Sequence, residues 1–131
     1  MIDIAENTEL SPEINVNGAV LRRKQLKYVT SLESVIQHAG VEGNEVFPAD
    51  DDSLRGVAKL ISDGIVFNRK VYKLPHTAAI ACEVLYGERW KPVDGWKFWN
   101  TVVDGKIVSL EDLRERYLDM RMVNGDCIAE D

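Results

Sequence analysis

The sequence predicts an α+β domain in which a small antiparallel sheet packs with about three helices. Three observations predict it. Between residues 56 and 74, short apolar runs alternate with tight-turn residues, the pattern of a meander. A second stretch, 96–103, is rich in aromatic and β-branched residues and reads as another strand. Three segments then carry apolar residues at helical spacing between cap and stop residues.

The elements follow in order. Residues 1 to about 14 are polar, acidic and without period, and read as an arm. Ile14 to Leu21 alternates around Asn17-Gly18 and suits a short strand or hairpin. The basic run Arg22-Arg23-Lys24-Gln25-Leu26-Lys27 comes next. The first helix is expected to begin near Ser31. Thr30 and Glu33 are spaced as a capping box, Leu32, Val35, Ile36 and Ala39 form one face, and Gly40 is the stop.

Residues 42–55 hold an acidic loop, Asp50-Asp51-Asp52-Ser53. The strands Gly56–Ile61, Ile65–Phe67 and Val71–Leu74 are then joined by Ser62-Asp63-Gly64 and Asn68-Arg69-Lys70. Pro75 opens the second helix, where its missing N–H costs nothing. Ala78, Ala81, Val84 and Leu85 are expected to line its inner side, and Gly87 to end it. Trp96–Val103 is expected to be a strand, turned by Asp104-Gly105. Ser109, with Asp112 three positions on, caps a last helix with Leu110, Leu113, Tyr117 and Met120 on its apolar face. From Val123 the chain is polar and expected to fray. The expected organisation is an acidic arm with a short strand and the basic run (1–29), the folded domain (30–120) and a polar tail (121–131).

At 131 residues the chain is the size of one domain and buries roughly two-thirds of its unfolded surface, enough to fold without disulfides or metals. The first thirteen residues contain four acids and no Lys or Arg, unlike an export signal. No apolar run approaches the ~20 residues of a membrane span. Cys82 and Cys127 do not make a framework, and they read as a buried thiol and a tail thiol in a reducing, cytoplasmic compartment. The net charge of −6 opposes nonspecific nucleic-acid binding, but it is unevenly spread. Residues 1–20 and 101–131 each sum to −4, whereas residues 21–100 carry twelve basic and ten acidic residues. A central segment with basic clusters is thus able to face phosphates.

No set of residues suggests catalysis. His38 and His76 have no second His or Cys at metal-ligand spacing, so no metal or cofactor is expected. The Asp50–Asp52 loop lacks the glycine and terminal glutamate of a calcium loop. Ser53, Ser62, Ser109 and Cys82 have no base beside them and read as turn, cap or core residues. An enzyme would need a pocket built on perturbed carboxylates or His76.

The density around residues 89–100 stands apart, because all three tryptophans fall within it. Strand alternation would put Trp96 and Phe98 on one face and Lys97 and Trp99 on the other. Trp96 and Phe98 are expected in the core, and Trp99 fits either core or surface. Tryptophan beside Lys or Arg suits base stacking with phosphate contact.

Taken in order, Ser31–Ile36, Asp63–Phe67, Val71-Tyr72 with Pro75-His76-Thr77-Ala78-Ala79, Val93–Trp99 and Ser109–Arg114 resemble the RAMA (restriction enzyme adenine methylase associated) domain and a related family of unknown function, DUF4357. The resemblance covers about residues 30–118. Its most specific piece is a tyrosine, then Pro-x-Thr-Ala-Ala, then Gly-Trp-x-x-Trp. Where the family usually has Ser-Pro-Ser, this chain has Leu74-Pro75-His76-Thr77, so Thr77 keeps a hydroxyl and Leu74 does not. The resemblance implies a binding module that accompanies restriction enzymes and DNA methyltransferases and recognises DNA, modified DNA included.

The combined expectation is a non-catalytic DNA-recognition module. Lys97, Trp99 and Asn100 are the candidates for base contact, and Arg69, Lys70, Arg89 and Lys91 for phosphate. His76 and Thr77, at a helix N-terminus, are candidates for an anion. The alternative is a protein–protein module that uses the acidic ends or the aromatic surface, such as an accessory subunit or a DNA-mimicking protein of a mobile element.

Overall fold

The computed structural model describes residues 15–16, 19–87 and 93–129, and the fold is α+β. The described residues divide into two compact units. One is Ser31–Leu113. The other joins the described residues up to Thr30 with those from Arg114 onward; residues 1–14, read as an acidic arm, lie outside the described residues.

Unit Ser31–Leu113 is built on a six-stranded sheet: β3 (Glu45–Pro48), β4 (Ala58–Ile61), β5 (Gly64–Phe67), β6 (Lys70–Tyr72), β7 (Trp99–Val103) and β8 (Lys106–Ser109). The strand order is β6-β5-β4-β3-β7-β8, and every neighbouring pair is antiparallel. The meander β4-β5-β6 is present, with β4 starting at Ala58 rather than Gly56, β5 at Gly64 rather than Ile65, and β6 running Lys70–Tyr72 rather than Val71–Leu74. Asn68 and Arg69 both have positive φ (52° and 68°), as do Asp104 and Gly105 (53° and 80°). That is the backbone of two-residue hairpin turns whose twist matches the strands they join. β3 joins the meander to the β7–β8 hairpin, and it lies within the stretch read as a loop.

α2 (Leu32–Ala39) buries Leu32, Val35 and Ile36 as expected. Its cap is Ser31, whose Oγ accepts from the Ser34 N–H at 3.1 Å. Thr30 instead donates its hydroxyl to the Leu26 carbonyl. α3 (Pro75–Tyr86) starts on Pro75, but its buried face is Pro75, Ala78, Ala79 and Cys82. Val84 and Leu85, expected inside, are exposed.

The largest departure is at residues 95–98. These form a single helical turn, α4 (Gly95–Phe98), and the strand begins only at Trp99. Asp94 causes it: its side chain accepts from the Trp96 N–H at 3.1 Å, and its carbonyl accepts from Lys97 and Phe98 at 3.0 and 2.8 Å. This capping geometry replaces β alternation with a turn. Trp96 and Phe98 are consequently half-buried, not in the core. Trp99, fitted by either reading, is 0% exposed. Gly95 packs so closely on α3 that a Cβ there would lie 2.2 Å from the His76 nitrogen.

The second unit contains β1 (Asn15–Val16), β2 (Ala19–Arg22), α1 (Arg23–Val29) and β9 (Cys127–Ile128), with α5 (Leu110–Val123) entering it from Arg114. β1 and β2 make the expected hairpin. The basic run is α1, a helix that buries Leu26 and whose Gln25 side chain accepts from the Arg22 N–H. β9 pairs in parallel with β2, Leu21 beside Cys127, where a frayed tail was expected. Ser109 and Asp112 make the expected capping box of α5, with reciprocal bonds of 3.0 and 3.3 Å.

Candidate binding surface

Cα partners across a sheet share a face, and residues alternate along each strand. The registers therefore sort the six-stranded sheet into two faces. Val46, Leu60, Ile65, Phe67, Trp99 and Thr101 form one, and all are buried. α3 packs there: the Trp99 indole donates to the Pro75 carbonyl at 3.1 Å, and the Phe67 ring meets those of Trp99 and Tyr86 at 6.5 and 6.2 Å. Glu45, Lys59, Val66, Val71, Phe47, Asn100, Val102 and Ile107 form the other. Of these only Phe47 is buried, and Glu45, Lys59, Val71 and Ile107 are exposed. An antiparallel sheet commonly packs one face on the core and leaves the other to solvent.

The open face has a focus. The Arg55 guanidinium lies over the Phe47 ring, 4.5 Å from its centroid. A groove of about 460 Å³ adjoins it, lined by Gly43, Asn44, Glu45, Phe47, Arg55, Thr101 and Val102. The acidic loop sets up this arrangement. Asp51 accepts from both the N–H and the hydroxyl of Ser53, which closes a short 3-10 turn (Asp52–Leu54) and delivers Arg55. On the other side, Asn44 accepts at its carbonyl from the Leu60 N–H and donates Nδ2 to the Val102 carbonyl at 3.0 Å. Thr101 donates its hydroxyl to the Glu45 carbonyl at 2.7 Å. The groove floor is thus hydrogen-bonded scaffold, while Arg55 and Glu45 are exposed.

The residues expected from the sequence do not share one face. Asn100 sits half-buried on the open face, paired with Phe47 and Ser109. Arg69 and Lys70 are exposed at the β5–β6 turn. His76 and Thr77 are exposed on the first turn of α3, but the Thr77 hydroxyl is spent on the Leu74 carbonyl at 3.1 Å. Lys97 lines a separate recess of about 260 Å³ together with Asp50, Glu83 and Asp94, an acidic setting unsuited to phosphate. Trp99 has no surface to offer, since it is a core residue. Arg89 and Lys91 lie outside the described residues. Arg55 and Lys59 were not anticipated. Lys59 was legible as the outward residue of a strand, whereas Arg55 depends on a turn-and-ring contact that spacing does not reveal.

In the other unit two of the four basic residues of the run are ion-paired among the described residues. Arg23 pairs with Glu115 at 2.6 Å and Asp119 at 2.8 Å, and Lys27 pairs with Glu115 at 2.7 Å. Arg121, little exposed, donates to Asp126 and to the Tyr117 hydroxyl, both at 2.6 Å. Lys24, Gln25, Lys27, Tyr28, Val29 and Arg114 line a groove of about 660 Å³. Both cysteines are free and buried. Burial, followed by the charges of Glu83, Asp50 and Asp51, pushes the Cys82 thiol up to about 11.

Among the described residues no group of three His, Cys, Asp or Glu side chains is placed to hold a metal ion, and no helix is long and apolar enough to cross a membrane. No protein-family model matches the chain, and no match is found among the curated proteins or the solved structures.

Proposed function

We propose that the chain is a non-catalytic recognition module that binds DNA across the open face of its six-stranded sheet. The observation that carries this reading is the pairing of Arg55 with Phe47 on a strand surface where Glu45, Lys59, Val71 and Ile107 are exposed, with Asn100 on the same face. Guanidinium groups and rings stack on bases, and asparagine amides match base edges. Arg69 and Lys70, at the end of the β5–β6 hairpin, supply phosphate contacts beside this surface. The resemblance to RAMA domains supports the same class of ligand. It also suggests modified DNA, a restriction–modification or defence setting, and the cytoplasm as its place.

Fluorescence-anisotropy titration of labelled duplexes and single strands, unmodified and methylated at adenine N6 or cytosine C5, tests it. Saturable binding that weakens with salt and is reduced several-fold by Arg55→Ala or Lys59→Ala is the expected result. Absence of binding at low salt for every strand and duplex overturns the reading.

One observation favours a second reading, a protein-interaction module. Val84, Leu85 and Tyr86 are 69%, 51% and 48% exposed in succession at the end of α3, on a chain of net charge −6. Contiguous exposed apolar side chains are a feature of interfaces. That reading predicts concentration-dependent self-association, or capture of a defined partner, that Leu85→Ser abolishes while DNA titrations stay flat.

A further inference from the structure

We propose that the groove between Arg55, β3 and the end of β7 takes a single unpaired nucleobase bearing an exocyclic amine, with guanine the best fit. This rests on the nucleic-acid reading above and names the ligand of that same site.

Charge is the first argument. Phosphate binding draws its affinity from counterions released by Lys and Arg. The open face carries Arg55 and Lys59 against Glu45, on a chain whose net charge is −6. The groove itself therefore gains less from phosphates, which fall to Arg69 and Lys70 beside it, than from stacking and base-edge contacts. Both require a base that is out of its duplex stack.

Arg55 provides the platform. One side of its guanidinium covers Phe47, which is buried beneath it, and the residue is otherwise exposed beside the groove. No carboxylate is ion-paired with Arg55 among the described residues. A guanidinium so held has its outer side free for a base. It is also fixed by the ring behind it, which lowers the entropy lost on binding. The groove, about 460 Å³, falls in the range of small-ligand sites (roughly 300–1,000 Å³) and not of a duplex.

The rim provides the selectivity. The Asn44 amide is oriented by its bond to the Val102 carbonyl, so Oδ1 is that side chain's remaining acceptor. From the covered face of the sheet, the buried Thr101 hydroxyl donates to the Glu45 carbonyl and holds that strand in place. The exposed Glu45 carboxylate is acceptor-only. A ligand edge facing these groups must donate. Guanine offers N1–H and the N2 amine side by side, a match for two carboxylate oxygens. Thymine offers a single N3–H flanked by two carbonyls that the carboxylate repels.

The test uses labelled single strands of thymidine with one central guanine, the all-thymine strand, and the duplex form of the guanine strand, titrated by anisotropy against the full chain. The guanine strand is expected to bind about tenfold tighter than the all-thymine strand, within the usual discrimination of a bidentate base contact. Glu45→Gln should erase that preference, weakening the guanine strand and relieving the repulsion felt by the all-thymine strand. Arg55→Lys, which keeps the charge but not the planar group, should weaken both strands. Should Arg55→Lys unfold the chain, the exposed Glu45→Gln substitution carries the test alone. Equal affinity for the two strands, a preference that survives Glu45→Gln, or tighter binding of the duplex overturns the groove assignment and leaves DNA binding standing. Failure to bind any of the three overturns the groove assignment, and failure of the methylated strands and duplexes as well overturns both.

Discussion

The Trp99 indole Nε1 donates to the Pro75 carbonyl at 3.1 Å, with both residues buried. One bond thereby ties the first turn of α3 to the start of β7 across twenty-four positions of sequence. A tryptophan that looked able to stack on DNA is instead a core anchor. Trp99→Phe retains most of the ring packing but strips the Pro75 carbonyl of this partner, and should cost about 1–3 kcal/mol. Trp99→Ala should cost about 3–5 kcal/mol. Urea unfolding followed by circular dichroism checks both, and an unchanged midpoint for Trp99→Phe would mean that the bond contributes nothing net.

Gly95 is held by a closer approach. A Cβ there would lie 2.2 Å from the His76 nitrogen and 2.4 Å from the Pro75 carbonyl carbon, and backbone cannot swing aside as a side chain can. Gly95→Ala should therefore destabilise by about 2–3 kcal/mol as α4 is pushed off α3. Gly105 provides the comparison, since its φ of +80° strains any side chain but a Cβ meets nothing within 4 Å. Gly105→Ala should cost about 1 kcal/mol. Thermal melts should rank Gly95→Ala below Gly105→Ala, and the reverse order would refute the packing argument.

These contacts also explain what was legible in the sequence. Pro75, Ala78, Ala79, Gly95 and Trp99, which carry much of the recognisable pattern, are all buried and converge where α3, α4 and β7 meet. The pattern reported packing, and so it predicted the α+β class better than it predicted the surface. The strand expected at Trp96 failed because Asp94 caps a turn locally, a short-range bond that overrides alternation. The inner face of α3 was misjudged because Val84 and Leu85 are as apolar as the residues it buries, so periodicity could not choose between sides. α1 was hidden because it buries only Leu26, and its Arg23 and Lys27 find their partners on α5 almost a hundred residues away. β9 is two residues long and pairs with β2 in parallel, which no local signal announces. Of the candidate surface, Asn100 lies half-buried on the open face, while Arg55 was not readable at all without its ring.

The Arg121 network should dominate the electrostatics of its unit. Its side chain is 9% exposed and donates to Asp126 and Tyr117, whereas Arg23 is 21% exposed and its partner Asp119 is 69% exposed. Removing one partner from a nearly buried guanidinium leaves its charge less well compensated, but an exposed pair is screened by water. Asp126→Asn should cost about 1–3 kcal/mol, discounted for the partial exposure of Asp126, and Asp119→Asn less than about 1 kcal/mol. Denaturant midpoints for the two variants at low and high salt decide it, with equal effects counting against the network.

Cys82 sets an alkaline limit on stability. Burial raises its thiol from 9.0 to about 11, helped by the charges of Glu83, Asp50 and Asp51. The folded chain therefore keeps its proton over a pH range in which the unfolded chain has already lost it. Because the unfolded state binds fewer protons there, stability falls as pH rises. The contribution is fully present below pH 9.0 and is lost as pH climbs through about 11, at up to about 1.4 kcal/mol per unit. Lysines and tyrosines also titrate in this window, so the measurement is a difference. The stability gap between the wild-type chain and Cys82→Ala should narrow steadily above pH 9.0, because only the wild type carries the term. The same burial makes the thiol a poor nucleophile at neutral pH, so a thiol-specific reagent should label Cys82 only at the rate at which the domain opens. A gap that stays constant with pH, together with rapid labelling of the native chain, would show that Cys82 is solvent-accessible and that the helix face assigned to Pro75, Ala78, Ala79 and Cys82 is not closed in solution.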